Sequence, residues 1–296
     1  MKYIECLFIG EEETLVQSSG IKGTNVLSVT DALSYVEKQL NKGISYFLVF
    51  GVTSIKSIEH ATNDSYCVCE FLKMAKQQFN NRAVLIADVG VSPYTADGQS
   101  VIYKNNKVDE EMSYEAVCKL SEAFALSGAD SVAPCLSLPK QVDVIKETFE
   151  NKNLRCDIMS YSTKFSSSLY GPYRSTIQSS MGNIRKEYQS DYSDSKEALN
   201  QLIYDIDRGA NCVIVKPALH YLDVISQAKK ISTKPVAAYH VSGEYMMAKL
   251  SIEHGLVDEL AYFNELYSSF HRAGADFVIG HAPEHFLNWK ESIRSI

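Results

Sequence analysis

The sequence predicts an α/β protein folded as a closed (β/α)8 barrel. One phrase recurs along the chain: a helical pattern ends in Gly and an apolar strand follows. It stands at Lys42-Gly43-Ile44, Ser127-Gly128-Ala129-Asp130, Arg208-Gly209-Ala210-Asn211 and Ala273-Gly274-Ala275-Asp276. Gly after a helix suits the left-handed cap that ends it, so each phrase is one α-to-β joint. Eight apolar runs alternate with helical stretches. That alternation calls for a parallel sheet, and eight strands close a barrel. An open doubly wound sheet is the competitor; no Gly-x-Gly-x-x-Gly follows any run, which lowers it.

The predicted strands are residues 3–9, 46–50, 83–89, 131–133, 157–161, 213–216, 236–239 and 276–279. Each is a short apolar run bounded by turn formers, the mark of a buried strand. Helical spacing fills the intervals, as in Leu33, Val36, Leu40 and in Leu199, Leu202, Ile206. Thr30, before Asp31, is the expected cap of the first helix. Two connections exceed what a barrel needs, residues 91–112 and 165–195. Within the first, residues 101–108 with Asn105-Asn106 at the middle suggest a small hairpin. The second is rich in Ser, Tyr, Gly and Arg and reads as an active-site lid, against the alternative of an inert loop.

The totals fit one domain over residues 1–296, since a barrel takes about 250 residues. Asp and Glu number 36 against 29 Lys and Arg, a net charge of -7 without a long basic run, so nucleic acid is an unsuitable partner. No stretch approaches the roughly 20 apolar residues of a membrane helix. The start carries only a short apolar run broken by Glu5, a strand rather than a signal peptide. Seven cysteines, an odd number, argue against a full disulfide set; reduced thiols and a cytoplasmic location follow. Cys67 and Cys69 lack a second ligand pair nearby, which leaves a zinc site weakly supported.

The chemistry concentrates on two lysines, each closing an apolar run: Lys164 at the end of DIMSYSTK (157–164) and Lys216 near the end of CVIVKP (212–217). Lys is rarely buried without a reason. Burial disfavours the ammonium form, and a neutral amine attacks ketones to give a Schiff base. The plainer alternative is a lysine that reaches to solvent from its strand end. Catalytic groups of a barrel gather at the carboxyl ends of its strands, where Asp88, Lys164, Lys216 and Tyr239 all fall. This points to a Schiff-base barrel enzyme: an aldolase, a dehydratase or a transaldolase.

Around these residues the sequence resembles the porphobilinogen synthase (5-aminolevulinate dehydratase) family. The matching stretches are MSYSTKFSSSLYGPYR (159–174), VKPALHYLD (215–223) and PVAAYHVSGEY (235–245). Weaker matches lie at 50–52, 88–98 and 127–134, in collinear order over nearly the whole chain. The resemblance implies a (β/α)8 barrel that condenses two 5-aminolevulinate molecules into a pyrrole. It implies that Lys164 and Lys216 each hold one substrate as a Schiff base. By the same resemblance Arg174, Arg185 and Gln189 bind the carboxylate of the substrate near Lys164, and the lid tyrosines Tyr170 and Tyr173 are substrate-binding residues. Tyr239 and Ser242 contact the one at Lys216, and Asp88 serves as the acid near the reacting amines.

The chain departs from the family at several points. Metal-binding members carry three cysteines, or in part aspartates, where this chain has Gly90, Ser92 and Ser100; Pro93 and Gln99 resemble the second branch. Glycine has no ligand atom and a neutral hydroxyl is a poor ligand, so no metal and no cofactor is expected. Cys135 stands where a serine faces the substrate amine, as a small apolar filler rather than a nucleophile. His281 stands where a tyrosine helps hold the carboxylate at the Lys216 site; it suits a carboxylate as imidazolium, or a different second substrate, or has no role there. The first strand begins near Tyr3, without the arm that supports the family octamer, so a smaller homo-oligomer, a dimer, is expected. Three readings result: a metal-free 5-aminolevulinate dehydratase, a divergent relative that joins or cyclises another amino-ketone in a secondary pathway, and a non-catalytic ligand-binding barrel.

Overall fold

The computed structural model describes residues 1–11, 19–177 and 187–293. Eight parallel strands close into a barrel: β1 (Lys2–Gly10), β2 (Tyr46–Val52), β3 (Val84–Val89), β4 (Ser131–Pro134), β5 (Asp157–Lys164), β6 (Cys212–Lys216), β7 (Val236–Tyr239) and β8 (Phe277–Gly280). β8 pairs back onto β1, Lys2 opposite Phe277 through Glu5 opposite Gly280, and this pairing makes the closure. All eight runs expected from the sequence are strands, with ends shifted by up to three residues. The helices that bear on the site are α1 (Val29–Lys42), α2 (Gln141–Lys152), α3 (Lys196–Asp207), α4 (Leu222–Ile231), α5 (Ser242–Glu253) and α6 (Pro283–Ser292).

Both faces of a barrel strand are covered, one by the barrel interior and one by helices, which is why the strands read as continuous apolar runs. In β1 every residue after Lys2 is buried. Cys6 and Phe8 face the interior, where Phe8 stacks on Phe50 at 5.0 Å. Glu5 faces outward and meets Tyr35 of α1.

The recurring Gly phrase has two physical functions. Gly43, Gly128, Gly209 and Gly274 all have positive φ, between 96° and 108°, so each helix ends on a residue that accepts the left-handed conformation. The acidic or amide residue two positions later then caps the neighbouring strand. Asp130 accepts from the Leu85 N–H at 3.0 Å, Asn211 from Ile158 at 3.0 Å, and Asp276 from Val236 at 2.9 Å. Each satisfies a backbone donor at the entry of an adjacent strand and so helps set the register.

Two local expectations had different outcomes. The hairpin is present: Tyr103–Lys104 pairs antiparallel with Lys107–Val108, and Asn105 and Asn106 both have positive φ, as a two-residue hairpin turn requires. The first helix is capped by Ser28, not Thr30. The Ser28 hydroxyl accepts from the Asp31 N–H at 3.1 Å, and Thr30 already lies inside the helix. Ser and Thr cap equally well in kind, so only the geometry separates two candidates this close.

β5 carries the one irregularity that shapes the site. Ser160 is opposite Val213, yet Thr163 is opposite Val215, so β5 holds one extra residue relative to β6. Such a bulge shifts the alternation of side chains along the strand. Tyr161 and Lys164 are an odd number of residues apart and would face opposite sides of a regular strand. Here both face the barrel interior.

Asp276→Ala tests the strand-capping function. It removes the acceptor of the Val236 N–H and the partner of Lys229, 2.7 Å away. The lysine pair is partly exposed and contributes little; the orphaned N–H dominates, and stability in urea should fall by about 1–3 kcal/mol. An unchanged unfolding midpoint would contradict the assignment.

Candidate active site

Lys164 and Lys216 are register partners at the carboxyl ends of β5 and β6. They are 5% and 7% exposed, so neither reaches out to bulk solvent. Both line one cavity at the barrel mouth, together with Asp88, Cys135, Tyr173 and Arg174. The cavity has a volume of about 20 Å³, room for about one water molecule.

The two amines have different surroundings. Lys164 Nζ donates to the Cys135 carbonyl at 2.7 Å and to the Ser100 hydroxyl at 3.2 Å. Lys216 Nζ sits over four tyrosine rings: Tyr239 at 4.5 Å, Tyr161 at 4.9 Å, Tyr170 at 5.2 Å and Tyr173 at 5.5 Å. All four lie within the range at which a ring face attracts a cation. Asp88, at the end of β3, accepts from the Tyr161 hydroxyl at 2.9 Å. Burial pushes its carboxyl above the ordinary range, while Lys216, the Tyr161 hydrogen bond and Lys164 hold it down.

The bulge that aims Tyr161 and Lys164 inward is held from behind. Asp205 of α3 is fully buried and accepts from Ser160 at 2.7 Å and from Gln201 at 2.7 Å. Gln141 of α2 donates to the same Ser160 hydroxyl at 3.0 Å. This network ties the residue where the register shifts to two helices. Nothing in the sequence pattern marks Asp205 or the bulge, because β5 is buried on both faces.

Of the expected lid, residues 165–177 and 187–195 are described, and the first of these stretches lines the cavity with Tyr170, Tyr173, Arg174 and Ile177. Tyr170 donates to the Phe165 carbonyl at 2.7 Å and to the Lys216 carbonyl at 3.3 Å. The Tyr173 N–H donates to the Ser242 hydroxyl at 3.0 Å. Arg174 places its guanidinium 5.8 Å from the Tyr170 ring. Lys56, which the sequence reading passed over, donates to Pro93 at 3.0 Å and to Ile177 at 3.4 Å, clipping the lid to the loop after β3. Gln189 is buried, and neither amide atom has a hydrogen-bond partner among the described residues. Arg185 lies outside the described residues.

On the Lys216 side, Tyr239 meets the Cys6 thiol at 3.3 Å, and burial pushes that thiol up to about 12. His281 follows β8, stacks on Phe8 at 6.3 Å and lies 5.5 Å from Tyr245. Burial, and secondarily the charge of Lys216, pushes the His281 imidazole down to about 3. This setting disfavours the imidazolium weighed from the sequence unless an anion is bound beside it. Cys135 meets Lys164 through its carbonyl; its thiol packs against Gly90, where a Cβ would come within 2.8 Å of the sulfur. A side chain at position 90 would therefore need the Cys135 thiol and the Asp88 carboxylate to shift. Among the described residues no three His, Cys, Asp or Glu side chains converge as metal ligands.

Comparisons with known proteins bear on the family and the fold. Residues 1–289 match the delta-aminolevulinic acid dehydratase family profile. The delta-aminolevulinic acid dehydratase of Helicobacter pylori is 34% identical over 290 residues, covering 95% of this chain and 89% of that protein. The Methanothermus sociabilis protein of the same name is 39% identical over 263 residues, covering 87% of this chain and 81% of its own length. Among solved structures, the Toxoplasma gondii delta-aminolevulinic acid dehydratase in complex with its product porphobilinogen superposes with a TM-score of 0.93. It is 33% identical and covers 97% of this chain and 84% of its own. A dihydropteroate synthase from Vibrio fischeri, 14% identical with a TM-score of 0.57, shares the barrel alone. The chain belongs to the delta-aminolevulinic acid dehydratase family.

Proposed function

We propose that this protein is a Schiff-base dehydratase that condenses two molecules of 5-aminolevulinate into a pyrrole without a metal ion. The observation that carries the reading is the pair of register-matched lysines, both buried, lining one cavity. A lysine amine adds to a substrate ketone and expels water, leaving an imine whose nitrogen takes a proton to become cationic. The four tyrosine faces around Lys216 suit that cation as they suit the ammonium, and they are in place beforehand. Two imines side by side bring the two substrates within bonding reach, which supplies the proximity a condensation needs. Asp88, which lines the same cavity as both amines and is bonded to Tyr161, holds or accepts the protons that move as carbon–carbon and carbon–nitrogen bonds form. Displacement of each lysine from its imine by an amine or water returns the free amine.

Arg174, Arg185 and Gln189 take the carboxylate of the substrate at Lys164. Arg suits that task because its planar fork meets a carboxylate with two hydrogen bonds. Tyr170 and Tyr173 close over both substrates, and Tyr239, Ser242 and His281 line the Lys216 side. A cavity of about 20 Å³ is far too small for either substrate, so residues 165–177 must swing away for entry. The setting of His281 favours a second reading as well. A neutral imidazole between Phe8 and Tyr245 is a weaker carboxylate partner than a cation, which suits a related amino-ketone without a carboxylate at Lys216.

The reading includes a reducing compartment, the cytoplasm, in line with seven free cysteines. Among the described residues no helix is long and apolar enough to cross a membrane. It also includes a dimer, for which exposed Met247, Leu250, Leu256 and Leu260 offer apolar surface. Light scattering should return twice the 33.1 kDa chain mass; an octamer would refute this part.

With 5-aminolevulinate as sole substrate, the enzyme should release a pyrrole detectable by its colour with an aldehyde reagent. Lys216→Ala should lower that rate by at least about a thousandfold while thermal unfolding stays cooperative. Turnover of the variant at the wild-type rate would remove Lys216 from the chemistry. Dialysis against EDTA should leave the rate unchanged, since Gly90, Ser92 and Ser100 offer no metal its usual ligands. Loss of activity restored by zinc or magnesium would show that a metal is needed.

A further inference from the structure

A second cavity lies between β1, α1 and α6, with a volume of about 360 Å³; Cys6 and His281, which border the Lys216 side, are also in its lining. That is within the range of small-molecule sites. It shares no lining residue with the two-lysine cavity. Its floor is a short polar relay: Gln39 lies within hydrogen-bonding reach of the Tyr35 hydroxyl, which donates to Glu5 Oε1. Glu5 and Gln39 are each 4% exposed. Glu5 Oε2 and Gln39 Oε1 have no hydrogen-bond partner among the described residues. The one lysine at the rim, Lys42, is 2.7 Å from Glu284. Leu7, Leu27 and Pro283 add apolar surface to the wall.

We propose that this cavity binds a small primary ammonium compound, whose nitrogen donates to Glu5 Oε2 and Gln39 Oε1 while its carbon chain rests on Leu27 and Pro283. The donor set decides the class. Two buried acceptors call for a donor, and an acceptor left unpaired is costly. An anion would meet Glu5 itself and a lysine already engaged with Glu284. A calcium-like ion takes six to eight oxygens, more than this floor offers. An alkylammonium brings three N–H groups and an apolar body, matching both parts of the wall.

The titratable groups around Glu5 and its cavity are Tyr35 and Lys42 from α1, Glu284 and His285 from α6, His281 after β8, Tyr245 from α5, Tyr3 and Cys6 on its own strand, and the buried Tyr267. Burial pushes the Glu5 carboxyl up to about 7, with Tyr35 and Lys42 opposing and Glu284 reinforcing. An ammonium beside it favours the ionised carboxylate, so binding releases a proton below that pH. Affinity therefore climbs as pH rises through about 7.

Calorimetric titration of the full chain with n-propylammonium chloride tests the proposal. One saturable site is expected, about tenfold weaker in Glu5→Gln and in Gln39→Leu, and unchanged in Lys216→Ala. n-Propanol should bind far more weakly than the ammonium. Should Glu5→Gln fail to fold, the wild-type protein alone decides: affinity should rise about five- to tenfold between about pH 6 and pH 7.5, with proton release. Absence of a saturable site, equal affinity in folded Glu5→Gln, equal binding of propanol, or loss of binding in Lys216→Ala each overturns it. The last result would place the ligand in the two-lysine cavity. None of these outcomes depends on whether the lysines form Schiff bases.

Discussion

The single extra residue in β5 is the constraint on which the rest of the site depends. In a regular strand, successive side chains alternate between the barrel interior and the helices. Without the shift between Ser160 and Thr163, Tyr161 and Lys164 would compete for opposite faces. With it, Tyr161 supports Asp88 and Lys164 stands opposite Lys216. The shift is anchored where no substrate reaches, by Asp205, Gln201 and Gln141 on the helical side of the wall. A helix-side carboxylate thus fixes which residues face the barrel mouth, and the mouth inherits its geometry from the packing behind it.

Two buried amines side by side are unfavourable unless something compensates their charge. The compensation is unequal. Lys164 has a carbonyl and a hydroxyl, neutral acceptors in direct contact. Lys216 has ring faces on several sides, which stabilise positive charge wherever it sits near the nitrogen. A carbonyl acceptor needs an N–H to meet it; a ring face tolerates a nitrogen that has gained a carbon substituent. Under the proposed Schiff-base chemistry, that contrast would give the two positions different tolerance for an imine and suit a reaction in which the two substrates play different parts.

The barrel was legible in the sequence because the strands are apolar runs, four of them preceded by a helix-ending Gly, and the Asp or Asn after three of those four joints caps the strand alongside. The paired lysines were legible because a cation at the end of such a run conflicts with its surroundings. The cap at Ser28 was misplaced by two residues, since two hydroxyl residues flank the same helix start. The bulge left no trace: with both faces buried, a one-residue shift does not disturb the apolar pattern. The charge of His281 could not be read either. Its lowered basicity follows from burial and from Lys216, which strands distant in the sequence bring together. Arg185 stands as a sequence expectation alone.

The central claim is that both lysines carry substrate during one reaction. Borohydride reduction in the presence of 5-aminolevulinate, followed by peptide mass mapping, addresses it directly. Covalent mass on the peptide with Lys164 and on the peptide with Lys216 is the predicted result. Unmodified lysines at both positions, under conditions where product accumulates, would contradict it.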